Sequence, residues 1–503
     1  MSVKGQEGIF MRLLDLLENI SFECIQGTVD AEVSAVIYDS RKEVVPGCLF
    51  VCIEGAKSDG HGYAAEMAEK GAGVLVVSKP VETVKGKDIT VIRVEDTRYA
   101  LAFISAAWFG HPAEKLCVIG ITGTKGKTTT TYLVKSILEN AGLKAGLIGT
   151  IETIIGEEHL HAENTTPESY LLQEDFARMA EAGLDAVVME VSSQALKLHR
   201  TQGFVFDFGI FTNLEPDHIG KGEHKDFEDY LRCKALLFKQ CRIGIVNQDD
   251  EYWEAVTRGH TCALETYGID TAADLRARNI TFLRESGNLG MGFEVEGLIN
   301  LSVQIATPGR FSVYNALTAI AICRHFGVQE EDITKALLQA KVKGRIEPVK
   351  VSDQFTLMID DAHNAMALKS LLTTLRAYEP HRLVCLFGCG GNRAKSRRYE
   401  MGEVSGNLAD LTIITSDNPR YEEPQAIIDD IKTGIGKTNG KYVEICDRKE
   451  AIAYAIDHGE PGDIIVLAGK GHEDYQEICG VKYPLDERVL IREILEERQK
   501  SIK

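Results

Sequence analysis

Residues 116–131, LCVIGITGTKGKTTTT, hold the densest chemistry in the chain. An apolar run leads into Gly123-Thr124-Lys125-Gly126-Lys127-Thr128, and helical spacing follows, with Leu133/Ile137 and Val134/Leu138 four apart and Gly142 as the stop. Glycines let backbone N–H groups wrap phosphate oxygens, and a helix N-terminus adds partial positive charge. In such a loop Lys127 reaches the β- and γ-phosphates and the Thr128 hydroxyl ligates Mg²⁺. Ile121 stands where the full G-x-x-x-x-G-K-[ST] spacing has its first glycine. The strand, glycines, Gly-Lys-Thr and helix are nevertheless in register, which favours a nucleotide loop over a plain turn.

Two further strand-like runs end in polar residues. Residues 186–189 deliver Glu190-Val191-Ser192-Ser193, and residues 208–211 deliver Thr212-Asn213 and then Asp217-His218. Ligands of open α/β sheets sit beyond the carboxyl ends of the strands. A carboxylate and an imidazole there suit Mg²⁺ held jointly by protein and ATP. Alone, Glu190 would be an ordinary capping residue and His218 a loop histidine; their coincidence beside the loop points to function.

The elements that must position these residues are α/β in texture. Residues 1–112 mix short strand-like runs with turns and end at His111-Pro112. From Leu116 the pattern alternates apolar strand, glycine turn and helix, the mark of a parallel sheet with crossover helices. The basic stretch KVKGR at 341–345 reads as a linker. Beyond it, strand-like runs at 355–359, 383–387, 411–415, 442–445 and 464–467 alternate with helices as in a Rossmann-like domain. The expected division is therefore 1–112, 113–343 and 344–503, in line with a length of 503 residues and about 150 per domain.

Composition narrows the classes. The 56 Lys+Arg against 75 Asp+Glu give a net charge of −19, which argues against a nucleic-acid binder that must neutralise phosphates. Nothing approaches the roughly 20 apolar residues of a membrane span, and the first ten residues, MSVKGQEGIF, lack a signal-peptide core. The twelve cysteines are scattered without a C-x-x-C pair, although Cys48/Cys52 and Cys385/Cys389 lie four apart; small buried hydrophobes are the simpler reading. A reduced, cytoplasmic protein is expected.

The motifs together resemble the ATP-dependent Mur ligases of peptidoglycan precursor synthesis, over nearly the whole chain. Asp39-Ser40-Arg41 with Pro46-Gly47 and Leu49-Phe50 is similar to the uridine-binding domain of that family, and TGTKGKTTT to its phosphate loop. Asn164-Thr165-Thr166-Pro167 and Met189 to Ser193 resemble its substrate and metal segments, and YLRCKALLF at 230–238 its helix with a carbamylated lysine. Gly344-Arg345 and Asp360 to His363 look like the start of its C-terminal domain. Asp417-Asn418-Pro419-Arg420 and Gly469-Lys470-Gly471-His472-Glu473 resemble its amino-acid-binding motifs.

The resemblance implies an α/β protein of three domains: an N-terminal UDP-substrate domain, a central P-loop-type ATPase sheet and a mobile Rossmann-like C-terminal domain. The implied reaction adds meso-diaminopimelate to UDP-N-acetylmuramoyl-L-alanyl-D-glutamate through an acyl phosphate. ATP would be held by Gly123 to Thr129 and by Asn315, Arg345, Asp360 and His363. Two Mg²⁺ ions would be held by Thr128, Glu190, His218 and a CO₂-derived carbamate on Lys234, with Lys127, Glu190, His218 and Lys234 as the catalytic set. Ser40, Thr165, Thr166, Ser192 and Arg200 would hold the nucleotide-sugar substrate. Arg393, Asp417, Asn418, Arg420, Gly469 and Glu473 would hold the amino acid, with Arg420 on its distal carboxylate, Arg393 paired with a carboxylate and Glu473 with an ammonium. A monomer without nucleic-acid or membrane partners is expected. The sequence departs from the family pattern at Lys125, Gln194, Leu198, Ser312 and Asp361, the last placing a negative charge beside the nucleotide. An L-lysine-adding ligase, a folylpolyglutamate-synthase-like ligase and a nucleotide-binding pseudoenzyme are the alternatives.

Overall fold

The computed structural model describes residues 10–55, 58–81, 88–220, 223–285 and 288–502; the expectation about residues 1–9 lies outside them. The chain forms two compact units, one of residues up to Asp274 with Thr318–Val328, the other of Leu275–Leu317 with Gln329 onward.

In the first unit a small sheet orders Phe22–Gln26, Thr90–Val94, Val74–Val77, Leu49–Val51 and Val36–Ile37, the first pair antiparallel and the rest parallel. Its inner strands are almost wholly Val, Leu, Ile and Phe and buried except at Arg93, as strands covered on both faces tend to be. The helix Thr97–Trp108 starts where the Asp96 carboxylate accepts from the Arg98 and Tyr99 N–H groups, a standard N-cap. This region packs on the helix Ser169–Glu181 of the same unit. Tyr38 and Phe109 both meet the Tyr170 ring (centroids 5.7 and 5.2 Å), and Arg98 Nη1 pairs with Glu168 at 2.7 Å. The His111-Pro112 turn therefore does not interrupt the packing.

The larger sheet runs Glu158–His161, Glu152–Ile155, Ala145–Ile148, Ala186–Glu190, Cys117–Thr122, Phe206–Phe211, Cys241–Asn247 and Ala263–Gly268. Cys117–Thr122 is central and parallel to both neighbours, with Glu190 opposite Ile121 and Phe211 opposite Thr122. That register sets the carboxyl ends of three strands side by side, which is the fact that builds the site.

In the second unit six strands order Glu347–Val349, Thr356–Asp360, Ile464–Ala468, Leu383–Phe387, Leu411–Ile414 and Tyr442–Glu444. All are parallel except the first pair. Asp360, Ala468 and Phe387 lie level, so the loops at 360–363, 388–394, 415–420 and 469–473 open at one edge. The same unit holds an antiparallel meander of Leu275–Glu285, Asn288–Gly297 and Leu301–Ile305 and a hairpin of Tyr475–Ile478 with Val481–Pro484. Periodicity announced neither: the hairpin is exposed along its second strand and so has no apolar face to show.

The α/β architecture agrees with the sequence reading. All twelve cysteines are free and most are buried, and no described helix is long and apolar enough to cross a membrane.

Candidate active site

The phosphate loop leaves the strand Cys117–Thr122 and enters the helix Lys127–Asn140 through Gly126, whose φ of 87 demands a glycine. Gly123 has φ 151, and a Cβ there would collide with the Thr212 hydroxyl. The neighbouring strand holds the loop: Lys125 N–H donates to Asn213 Oδ1 (2.9 Å), and the Thr212 hydroxyl donates to Lys125 C=O (2.8 Å). Lys125 itself pairs with Glu215 at 2.6 Å, so its charge is matched before any phosphate arrives. Lys127 Nζ folds back over the loop onto the Gly123 and Thr124 carbonyls at 2.9 and 3.0 Å. Thr129 follows on the first turn of the helix.

Glu190, only 1% exposed, is the hub behind the loop. Its carboxylate accepts from the Thr128 hydroxyl (2.9 Å), the Thr150 N–H (2.8 Å) and the Thr150 hydroxyl (3.2 Å). Thr150 continues to Thr165, the two hydroxyls 3.0 Å apart. Thr166 donates to Glu190 C=O (2.8 Å) and accepts from Ser192 N–H (3.0 Å), while Arg200 Nη1 donates to Thr166 C=O (3.0 Å). Four residues expected to hold substrate thus form one network with the carboxylate. Thr150, which sequence reasoning missed, sits in its centre. The hard oxygen donors of Thr128 and Glu190 fit Mg²⁺. His218 is on an exposed loop with φ 54, its Nδ1 3.3 Å from Glu223 and Nε2 3.7 Å from Asp217; it is not bonded into the Glu190 network.

Lys234 lies on the helix Phe227–Ala235 and is fully buried. Its Nζ donates to Gly123 C=O at 2.9 Å and sits 4.5 Å over the Tyr230 ring; the Tyr230 hydroxyl in turn lies 3.1 Å from that of Thr124. Burial, helped by the Lys127 charge, pushes the Lys234 amine far below its ordinary pKa. The helix is anchored by a relay that no sequence pattern marks. His224, buried, is 3.1 Å from Asp229 through Nδ1 and 2.9 Å from the Ser193 hydroxyl through Nε2. His224, Asp229 and Cys233 have metal-like spacing, but Asp229 already pairs with Lys197 at 2.8 Å and Arg232 at 2.7 Å. Two cations on that carboxylate oppose a third.

In the N-terminal region Ser40 lies in a turn that Asp39 closes by accepting from Arg41 N–H at 3.0 Å. Asn315 is buried on the helix Arg310–Cys323.

The second unit gathers the remaining candidates. Asp360 accepts from the Ile346 and Ala362 N–H groups, both at 2.9 Å, and burial raises it to about 6. Partial burial pushes Asp361 up as well, yet Arg345, His363 and His472 outweigh that and hold it at about 2. Arg345 pairs with it directly, and His363 and His472 lie 3.6 and 3.7 Å away. The negative charge expected from Asp361 is therefore neutralised within the unit.

At the next strand ends, Lys470, fully buried, donates to Asn418 Oδ1 (2.8 Å), Glu473 (3.1 Å) and Tyr475 C=O (2.6 Å). Asn418 Nδ2 donates to Glu473 at 2.9 Å. Asp417 accepts from Asn418 N–H at 2.6 Å and faces the buried Arg448 at 3.9 Å. Gly469 has φ 105 and lies against Asp417. Arg420 Nε reaches Glu477 at 3.1 Å and Nη1 the Gly391 carbonyl at 2.9 Å. Arg393 is exposed and bonds to none of these among the described residues.

Comparison with known proteins gives three family matches: the Mur ligase family catalytic domain at 32–109, the Mur ligase middle domain at 121–323, and the Mur ligase glutamate ligase domain at 344–471. The UDP-N-acetylmuramoyl-L-alanyl-D-glutamate–2,6-diaminopimelate ligase of Caldanaerobacter subterraneus subsp. tengcongensis is 42% identical over 492 residues, covering 97% of this chain and 100% of that protein. A solved structure of a ligase with the same description has a TM-score of 0.71 at 25% identity and covers 98% of this chain and 100% of that one. The MurF ligase of Thermotoga maritima in complex with ADP shares the fold, with a TM-score of 0.59 at 18% identity over 93% and 98% of the two chains.

Proposed function

From a chain that belongs to the Mur ligase family, we infer an ATP-dependent amide ligase that adds meso-diaminopimelate to UDP-N-acetylmuramoyl-L-alanyl-D-glutamate. The observation that carries the choice of amino acid is Arg420, held at the strand ends beside Asn418, Lys470 and Glu473 with N–H donors to spare. Diaminopimelate differs from lysine by a distal carboxylate, and a guanidinium can take that group through two parallel hydrogen bonds.

The D-glutamyl carboxylate attacks the γ-phosphorus of ATP, giving an acyl phosphate and ADP; the amine then attacks the acyl carbon and phosphate leaves. Both partners of the first step are anions, so positive charge must precede it. Lys127 supplies it by swinging from the Gly123 and Thr124 carbonyls onto the phosphates, while loop N–H groups cradle them. Asn315, Arg345, Asp360 and His363 are the further residues assigned to the nucleotide. Thr165, Thr166, Ser192 and Arg200 orient the acceptor, whose uridine end is met by Ser40. Thr128, Glu190, His218 and a carbamate on Lys234 would hold Mg²⁺, which neutralises phosphate charge. The Lys234 amine, its pKa pushed down by burial, supports that assignment, because only an unprotonated amine combines with CO₂. We assign domains to 1–112, 113–343 and 344–503 and expect a cytoplasmic monomer.

The test supplies purified protein with ATP, the UDP-muramoyl dipeptide and either meso-diaminopimelate or L-lysine, and follows phosphate release and product mass. Strong preference for diaminopimelate is expected, since sites built to pair a group reject analogues lacking it by about 10⁴-fold. Equal turnover of both would overturn the reading.

A further inference from the structure

Arg420 occupies the left-handed backbone region (φ 53), and the hairpin that follows Tyr475 holds it on both sides. Its N–H donates to Glu477 C=O at 2.9 Å, and its own C=O accepts from Cys479 N–H at 2.7 Å. The same hairpin supplies the Glu477 carboxylate on Nε at 3.1 Å. With Gly391 C=O on Nη1, two of the five guanidinium N–H groups are engaged. The Arg420 and Glu477 side chains are each 25% exposed, so the pair is open to a ligand but poorly screened. The adjacent Lys470–Glu473 pair is internally balanced and tied to Asn418.

A substrate head approaching Arg420 therefore meets one guanidinium and one carboxylate, with no net charge between them. Lysine brings an ammonium, leaving the pocket at +1. A head with only a carboxylate leaves it at −1. A head with both, as in diaminopimelate, leaves it at zero, and uncompensated charge in a partly desolvated pocket is costly. We propose that Glu477 is a specificity-determining residue of the amino-acid site. By holding Arg420 half-neutralised it matches the pocket to a zwitterionic distal end and disfavours either charge alone. The inference rests on the reading that Arg420 receives that distal end.

The experiment measures kcat/KM of the full-length enzyme and its Glu477→Gln and Glu477→Asp variants, with ATP, the UDP-muramoyl dipeptide and one of three amino acids: meso-diaminopimelate, L-2-aminopimelate or L-lysine. Removing the charge leaves Arg420 alone, so the best match becomes the singly anionic head. Glu477→Gln should raise the 2-aminopimelate to diaminopimelate ratio at least tenfold, through KM for the amino acid, with KM for ATP unchanged. Glu477→Asp keeps the charge and should keep the parent ranking. An unchanged ratio in Glu477→Gln, or an equal loss on all three amino acids, overturns the proposal. A parent enzyme that prefers diaminopimelate to lysine, together with an Arg420→Ala variant that retains the preference, overturns the Arg420 reading and this inference with it.

Discussion

Lys234 is enclosed by protein, faces the Lys127 charge and has a backbone carbonyl and an aromatic face against its amine. Its ammonium form is disfavoured by burial, and the neutral amine is the form able to take up CO₂. Lys234→Ala should lose at least 10²-fold in kcat, with added acetate or bicarbonate restoring part of it. Lys234→Arg should be equally poor, because a guanidinium forms no carbamate; a fully active Arg variant would remove the carbamate from the mechanism. His224 gives a second prediction at this scale. Burial, with Lys197 nearby, lowers its pKa against the pull of Asp229. In the unfolded chain a histidine titrates near 6.5. As pH falls below that value the unfolded state gains a proton that the native state resists, so this residue's contribution to stability drops until the lower native pKa is passed. His224→Gln should therefore melt lower than the parent at pH 7.5 yet lose less between pH 7.5 and 5.5. Equal losses on both sides would show that His224 does not titrate this way.

The strand, loop and helix around Gly123 were legible because each residue type has a local cause: buried β-branched residues, glycines at positive φ, a helix beginning at Lys127. The strand Leu383–Phe387 falls on its apolar run for the same reason. The His224 relay and Thr150 were not legible, since neither is marked by periodicity; each acquires meaning only when strand register sets Glu190 beside Ile121 and the 227–235 helix beside Ser193. Glu477 was hidden likewise, on a hairpin that exposes its second strand. Close approach of elements makes a third prediction. Gly391 donates to Asn418 C=O at 2.8 Å and offers its own carbonyl to Arg420, and a Cβ on it would run into the Pro419 carbonyl. Gly391→Ala should shift the Asn418–Arg420 segment and raise KM for the amino acid about tenfold or more. KM for ATP should stay within about twofold, because the residues that move bind no nucleotide; a matching rise for ATP would mean that the second unit had been damaged as a whole.

Across the whole molecule, the residues proposed for the two organic substrates divide cleanly. Ser40, Thr165, Thr166, Ser192 and Arg200 all belong to the first unit, whereas Asp417, Asn418, Arg420, Gly469 and Glu473 belong to the second. The composition change at His111-Pro112 was visible in sequence, but the Tyr38–Tyr170 and Arg98–Glu168 contacts that join the flanking regions were not, because pairs so far apart leave no local pattern. Each unit has its own buried apolar cores, so each should unfold as its own cooperative step. A ligand that binds only the native form adds RT ln(1 + [L]/Kd), about 2.7 kcal/mol at a hundred times Kd. That corresponds to roughly 5 °C in units of 285 and 218 residues. Calorimetry should accordingly show two transitions, with the UDP-muramoyl dipeptide raising one and meso-diaminopimelate the other. Arg200→Ala should abolish the first shift and leave the second, and Arg420→Ala should do the reverse. A single transition moved alike by both ligands would refute the division, since it would mean that neither unit holds its substrate independently.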